Sequence, residues 1–254
     1  MDNITPAEAV QASALRHIAF IMDGNGRWAT ERMLPREAGH KAGADNFKTI
    51  VRYCKKIGIR VCTVYAFSTE NWKRPKREVE AILRLLTSFV KEAEDEVGTT
   101  MRFIGDVDGL PPKLVSDMRR LEAETAGNPY VLQIALNYGG RADIVHAVNA
   151  LLAEGKTSVT ENDINAHLYT AGQPDPDLIV RTAGEMRLSN FLLWQCAYAE
   201  LYYTNKYWPA MTTADVDEAV YNFASPERSL RLLECVLGCP LWVDGEFLAA
   251  FWAR

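Results

Sequence analysis

The sequence predicts an α/β fold: one domain with a mostly parallel central sheet of about six strands, flanked by helices. Three observations carry that expectation. Short apolar runs alternate with longer segments whose apolar residues recur every three or four positions. No linker, internal repeat or low-complexity segment divides the 254 residues, a length that one core can serve, so 1–254 is read as a single domain. Polar stretches rich in glycine and arginine follow the apolar runs, and ligands of open α/β sheets bind outside the carboxyl ends of the strands.

The strand candidates, in order, are His17 to Asp23, Arg60 to Phe67, Met101 to Gly105, Tyr130 to Asn137, Leu178 to Thr182 and Glu200 to Thr204. Between the first two, Phe47, Ile50, Val51, Cys54 and Ile57 share a helical face that ends at Gly58. After the second strand, Val79, Ile82, Leu83, Leu86, Val90, Ala93 and Val97 form another stripe. A third helix carries Ile144, Val145, Val148, Leu151 and Leu152. The second helix also bears Leu85 and Phe89, which widens its apolar arc beyond what a surface helix needs. Two readings fit that width: thicker packing on a neighbour, or one wall of a hydrophobic tunnel between sheet and helices.

Composition narrows the class. A formal charge of −5 argues against broad nucleic-acid binding. The five cysteines, Cys54, Cys62, Cys196, Cys235 and Cys239, are odd in number and sit mostly in apolar segments. That pattern points to buried thiols in a reducing cytoplasm. Cys235 and Cys239 have no second pair of ligands nearby, which argues against zinc. With no signal-like segment and no apolar run of bilayer length, the expected location is cytoplasmic, with room for peripheral contact with a membrane.

The chemistry concentrates at the strand exits. Strand one ends in Asp23-Gly-Asn-Gly-Arg27. A carboxylate there can hold a hard cation, glycines let backbone N–H groups approach phosphate oxygens, and arginine neutralises their charge. The plainer alternative is a tight turn with an exposed aspartate. Strand two exits into Ser68 to Arg74, strand four into Asn137 to Arg141, and strand five into Arg181 to Ser189. Arg36 and His40 read as lying just upstream of the first helix. An acidic chain that gathers arginines and hydroxyls on one edge suits an anionic ligand.

Long, ordered motifs then match a known family. They are His17-Ile-Ala-Phe-Ile-Met-Asp-Gly-Asn-Gly-Arg-Trp-Ala29, Gly39-His-Lys-Ala-Gly43, Tyr65-Ala-Phe-Ser-Thr-Glu-Asn-Trp-Lys-Arg-Pro75 and Asn137-Tyr-Gly-Gly-Arg141. Arg181-Thr-Ala-Gly-Glu-Met-Arg-Leu-Ser-Asn-Phe-Leu-Leu-Trp194 and Ala199-Glu-Leu-Tyr202 complete the set. On these motifs the chain, from about residue 15 to about residue 223, resembles cis-prenyltransferases of the undecaprenyl diphosphate synthase type.

The resemblance implies a homodimer that condenses isopentenyl diphosphate with an allylic diphosphate, farnesyl or geranyl, releasing diphosphate and making a Z-polyprenyl diphosphate. It implies Mg2+ held by Asp23 and Glu200, with Asp23 and Asn71 as catalytic residues. The allylic diphosphate cradle would be Gly24, Asn25, Gly26, Arg27, Arg36 and His40, and Arg181, Arg187, Leu188 and Ser189 would bind isopentenyl diphosphate. Trp28, Ser68, Thr69, Glu70, Trp72 and Arg74 would position substrate. For Asn71 an amide is a poor base, so positioning of substrate, or capping of its own loop, stands beside the role of proton acceptor.

Other residues read more simply. Glu185 supports the strand-five loop, Trp194 packs, and Tyr198, Tyr202 and Tyr203 belong to the core or a dimer interface. His17, His146 and His167 read as hydrogen-bonded structural histidines. The family's basic ending is missing after Phe223, where 224–254 form a divergent tail with Arg228, Arg231, Trp242, Phe247, Phe251 and Trp252. The segment from Val79 to Gly105 reads as a few residues short of the long-chain enzymes, so an undecaprenyl product is not assumed. Alternatives are a short-chain or irregular prenyl diphosphate synthase, a non-catalytic prenyltransferase subunit, and a phosphohydrolase using Asp23; the last lacks its second acid, since Asn25 stands there.

Overall fold

Five consecutive buried residues, His17–Ile21, form β1, because a central parallel strand is covered on both faces. The computed structural model describes residues 4–92 and 97–225. Six strands make one sheet: β1, β2 (Val61–Ser68), β3 (Thr99–Ile104), β4 (Tyr130–Tyr138), β5 (Leu178–Arg181) and β6 (Glu200–Tyr203). Their order is β3-β4-β2-β1-β5-β6 and every neighbouring pair is parallel. All six expected strands are present, with ends shifted by a residue or two.

The described helices are α1 (Pro6–Ser13), α2 (Asn25–Glu31), α3 (Arg36–Lys56), α4 (Lys76–Glu92), α5 (Pro112–Thr125), α6 (Gly140–Ala153), α7 (Glu161–His167) and α8 (Thr213–Ala224). Ile18 and Phe20 of β1 join the main core with α3, α4, α5 and α8. Ala19 and Ile21 face the other way, with Tyr138 and Phe191. Ala147, Leu151, Ile164 and Leu168 make a third cluster between α6 and α7.

Several local expectations change. Arg36 and His40 lie inside α3, which Pro35 begins as its N-cap. Gly24 takes a left-handed conformation (φ 96°) and turns the chain straight into α2, so the segment expected as an open loop is a short helix. Val97 is not on α4 but in a turn, 88% exposed. Val145 and Leu152 face solvent, because α6 packs through Ile144, Ala147, Val148 and Leu151. Ala93 and the tail residues Arg228, Arg231, Cys235, Cys239, Trp242, Phe247, Phe251 and Trp252 lie outside the described residues. No helix among the described residues is long and apolar enough to cross a membrane.

Register places the chemistry. Ile21 pairs with Tyr65 on one side and Arg181 on the other. After β1 the chain moves towards β2, and it returns only later to β5 on the opposite flank. The crevice between β1 and β5 is therefore a topological switch point, where α/β sheets bind ligands.

Candidate active site

A cavity of about 540 Å3 opens at that switch point, lined by Asp23, Asn25, His40, Ser68, Glu70, Asn71, Arg74, Arg181 and Ser189, among others. Asp23 stands just past β1. Its Oδ1 accepts the Gly24 N–H at 2.7 Å, and its Oδ2 accepts Arg181 Nη2 at 2.9 Å. Thr182 fixes the aspartate's backbone: its Oγ1 accepts the Asp23 N–H and donates to the Asp23 carbonyl. Arg181 is only 3% exposed and also donates to Ser189 Oγ at 2.7 Å and to the Arg187 carbonyl. Its Nε has no hydrogen-bond partner among the described residues, where it is a buried charged donor left unsatisfied.

Arg27 reaches both Asp23 (3.7 Å) and Glu185 (3.4 Å), and Glu185 in turn pairs with Arg187. The Arg36 guanidinium lies over Gly26, where an added Cβ would sit 2.7 Å from Nη2. No side chain caps α2, so the N–H groups of its first turn lack partners in the helix. Gly39 brings α3 against α2: a Cβ there would lie 2.0 Å from the Asn25 carbonyl oxygen. That contact, not helix propensity, explains a glycine inside α3.

A second group of charges converges on Glu78, at the start of α4. Its carboxylate accepts His40 Nε2 at 3.0 Å and Arg74 Nη1 at 2.6 Å, and lies 3.8 Å from Arg36 Nε. Burial pushes the Glu78 carboxyl upward, but the bonds from His40 and Arg74 outweigh it and hold it below its ordinary range. Burial also lowers His40, which Glu78 only partly restores. Sequence reasoning missed Glu78. The available signal was its spacing four residues after Arg74.

Past β2, residues Thr69–Lys73 form a single 3-10 turn. Asn71 Oδ1 accepts the Ser68 N–H at 3.1 Å, in a reciprocal cap with Ser68. The structure thus uses the Asn71 carbonyl oxygen to hold its own loop, which favours positioning over proton abstraction. Glu70 accepts Asn190 Nδ2 at 3.0 Å, and Trp72 Nε1 donates to Asn137 Oδ1 at 2.8 Å. Burial raises the Glu70 carboxyl, yet hydrogen bonds from its own backbone and from Asn190, Ser68 and Thr69 carry it below its ordinary value. Asn190, another residue missed, joins this loop to the one after β5. There Ser189, Asn190 and Leu192 all have positive φ (49°, 65° and 44°), strain of a kind found at binding loops.

A second cavity, about 270 Å3 and mostly apolar, adjoins the first. Met22, Asn25, His40, Ala66 and Ile82 line both. Its further wall comes from α3, α4 and the sheet, and includes Leu85 and Phe89 from the wide arc of α4.

Comparison with known proteins shows the family. The prenyltransferase family described as undecaprenyl diphosphate synthase matches residues 21–231. The chain belongs to that prenyltransferase family. An isoprenyl transferase of Chromobacterium violaceum is 48% identical over 220 residues, covering 84% of this chain and 86% of the relative. A ditrans,polycis-undecaprenyl-diphosphate synthase, farnesyl-diphosphate specific, from Pseudomonas putida is 46% identical, with coverage of 87% and 92%. Lavandulyl diphosphate synthase from Lavandula x intermedia, crystallised with dimethylallyl diphosphate, superposes with a TM-score of 0.78 at 34% identity, covering 82% of this chain and 94% of its own. A probable undecaprenyl diphosphate synthase from Campylobacter jejuni gives 0.71 at 31% identity, covering 85% and 98%.

Not every expected site residue of this prenyltransferase lines the cavity. Gly24 and Arg27 do not line it but contact Asp23, which does, and Gly26 and Arg36 contact each other. Trp28 lies under the Arg32 guanidinium, 4.4 Å from the ring, and Trp72 packs edge-on against Phe67. Thr69 approaches Gly139, and Leu188 packs into the second core cluster. Arg187 contributes its carbonyl to Arg181 and its side chain to Glu185. Glu200 opens β6, level with Leu178, at the amino end of the sheet. Asp23 follows the carboxyl end of β1, so one chain does not bring the two expected metal ligands together.

Proposed function

We propose that this prenyltransferase condenses isopentenyl diphosphate with an allylic diphosphate to give a Z-polyprenyl diphosphate and free diphosphate. The observation that carries the reading is the pairing of the buried Arg181 with the half-buried Asp23 in a polar cavity that adjoins an apolar one. A lipid diphosphate needs that combination, with cations at one end and hydrocarbon at the other. The farnesyl specificity in the name of the Pseudomonas putida relative makes farnesyl diphosphate the first primer to try.

In this reading Arg27, Arg36 and the first-turn amides of α2 hold the allylic diphosphate, while Arg181, Arg187 and Ser189 hold isopentenyl diphosphate. The allylic C–O bond breaks and its electrons leave with diphosphate. The isopentenyl double bond attacks the allylic carbon, and the C2 proton passes to a diphosphate oxygen. Asn71 and Ser68 position the acceptor, and the apolar walls keep water from the cation.

The donor set suits Mg2+, which takes one or two carboxylates and completes its shell with substrate oxygens and water. Asp23 offers one carboxylate beside the diphosphate cradle, and no group of three or more His, Cys, Asp or Glu side chains among the described residues forms a cage. When bound there, Mg2+ would neutralise the leaving diphosphate. We also take the working form to be a cytoplasmic homodimer with peripheral membrane contact. The edge strand β6 carries Leu201 at 45% exposure beside Tyr198 at 98%, an apolar edge suited to a second copy.

The test is purified protein with Mg2+, labelled isopentenyl diphosphate and, separately, dimethylallyl, geranyl and farnesyl diphosphates. Dephosphorylated products are then separated by chain length. An elongated ladder with new cis bonds is expected. Absence of incorporation with every primer, from folded protein, refutes the reading.

A further inference from the structure

Three segments of the site meet at one side chain. The loop after β5 brings Ser189 and Asn190, the chain after β2 brings Ser68 to Asn71, and β4 passes into α6 through Gly139. The Asn190 backbone carbonyl accepts the Gly140 N–H at 2.7 Å, and its Oδ1 accepts the Arg141 N–H at 2.9 Å. The N-cap of α6 offers no side chain, so these first-turn amides are satisfied from 49 positions down the chain. The Asn190 amide nitrogen, Nδ2, donates to Glu70 Oε1 at 3.0 Å. Gly139 makes room for that bond. Its backbone is extended (φ −157°), yet a Cβ there would lie 2.7 Å from Asn190 Nδ2 and 2.9 Å from Thr69 Oγ1. Asn190 itself is left-handed (φ 65°), a conformation that glycine, asparagine and aspartate adopt most readily.

We propose that Asn190 is a positioning residue that sets the spacing between the two substrates. The inference rests on the condensation proposed above. Asn190 follows Ser189, which that reading assigns to isopentenyl diphosphate, and Glu70 precedes Asn71, which it assigns to placing the proton acceptor. Ser68, Asn71 and Ser189 all line the polar cavity. One hydrogen bond between the two neighbours therefore ties one arm of the site to the other, and the start of α6 anchors the tie to the sheet. Asn190 needs no contact with the reacting atoms to matter. Those atoms must come within about 3–3.5 Å of each other, and a misplacement of about 1 Å can cost about a hundredfold in rate.

The experiment measures kcat and KM for isopentenyl diphosphate with the primer that wild type accepts. Asn190→Asp keeps the left-handed backbone and the acceptor for Arg141, but sets a second carboxylate against Glu70. At about pH 7.5 it should lose about tenfold or more in kcat/KM. Two carboxylates at hydrogen-bond distance share a proton, so its activity relative to wild type should climb as pH falls towards about 5.5. Asn190→Asp combined with Glu70→Gln exchanges donor for acceptor and should regain most of the loss. Gly139→Ala leaves every polar group in place and wedges the two arms apart, and should also lower kcat/KM. Calorimetric affinity for the allylic diphosphate alone should stay within about threefold of wild type in each variant, because that cradle lies on α2 and α3. Thermal melting identifies a variant that fails to fold, and Asn190→Asp and Gly139→Ala each carry the test without the other. A double variant no better than Asn190→Asp, an activity ratio flat with pH, or wild-type kcat/KM in a folded single variant overturns the inference. An equal loss of allylic affinity also overturns it, by marking a general disturbance of the site. Failure of wild type to elongate any primer refutes the condensation, and the positioning role falls with it; losses confined to the variants leave the condensation standing.

Discussion

Replacing Asp23 by asparagine or alanine separates charge from shape at the centre of the site. Removing one member of a fully buried ion pair costs about 3–5 kcal/mol, because the other charge stays behind. Here the Asp23 side chain is 33% exposed, and Arg181 keeps its bonds to Ser189 Oγ and the Arg187 carbonyl. Solvent and those acceptors reduce the expected cost to about 1–2 kcal/mol for Asp23→Ala. In a domain of this size that lowers the melting temperature by roughly 2–8 °C. Asp23→Asn keeps an oxygen for Arg181 and should cost less. Turnover behaves differently, since loss of one group that stabilises transition-state charge typically costs about 10²–10³-fold. Both variants should therefore melt within about 8 °C of wild type and lose at least about a hundredfold in isopentenyl incorporation. Asp23→Asn turning over within about tenfold of wild type would remove the carboxylate from the chemistry. A melt lowered by much more than about 8 °C would mean that the lost activity reflects unfolding.

Three further outcomes follow from the geometry. Glu78→Gln releases His40, Arg74 and Arg36 from their common carboxylate; KM for the allylic substrate should rise about tenfold, the equivalent of one charged hydrogen bond. An unchanged KM would make Glu78 only a helix tie. His17, 1% exposed, has its pKa lowered from 6.5 to about 4, chiefly by burial. Its folded value lies below its unfolded value, so stability is intact above about 6.5 and falls by about 3 kcal/mol as pH drops towards about 4. Equilibrium unfolding of wild type against His17→Gln measures that loss, and an identical acid slope in both would refute it. Gly39→Ala should destabilise by about 1–3 kcal/mol through its clash with the Asn25 carbonyl, although alanine favours an isolated helix by about 1 kcal/mol. A more stable Gly39→Ala protein would contradict the packing account.

The sheet was legible because parallel strands covered on both faces leave continuous apolar runs, as β1 and β4 do. The strand exits were legible for a related reason: loops at the carboxyl ends carry the polar residues that the buried strands cannot. What failed was whatever depends on contacts across the chain. Arg36 and His40 escaped their helix because Gly39 and Gly43 blur the periodic pattern, and those glycines make sense only once α2 lies against α3. Asn190 reaches Glu70 across 120 positions of sequence, a distance no local pattern encodes. Glu200 entered as a partner for Asp23 through the family resemblance alone, with no local pattern behind it. Only the register of β6 against β5 tells which end of the sheet each occupies.

Diphosphate binding by an acidic chain, as proposed above, is reconciled with its charge by the pairing within the site. Asp23 holds Arg181, Glu185 holds Arg27 and Arg187, and Glu78 holds His40 and Arg74 with Arg36 close by. Each cation is therefore oriented before any substrate arrives, and a long side chain loses less entropy when it then turns to a phosphate. Binding becomes an exchange of a carboxylate for a more highly charged phosphate group, with the displaced acid still nearby. That exchange would suit the repeated condensation proposed above. Affinity that rested on naked arginines would hold the released diphosphate as firmly as the substrate. On the proposed condensation, a carboxylate beside each cation would let the product leave between one addition and the next.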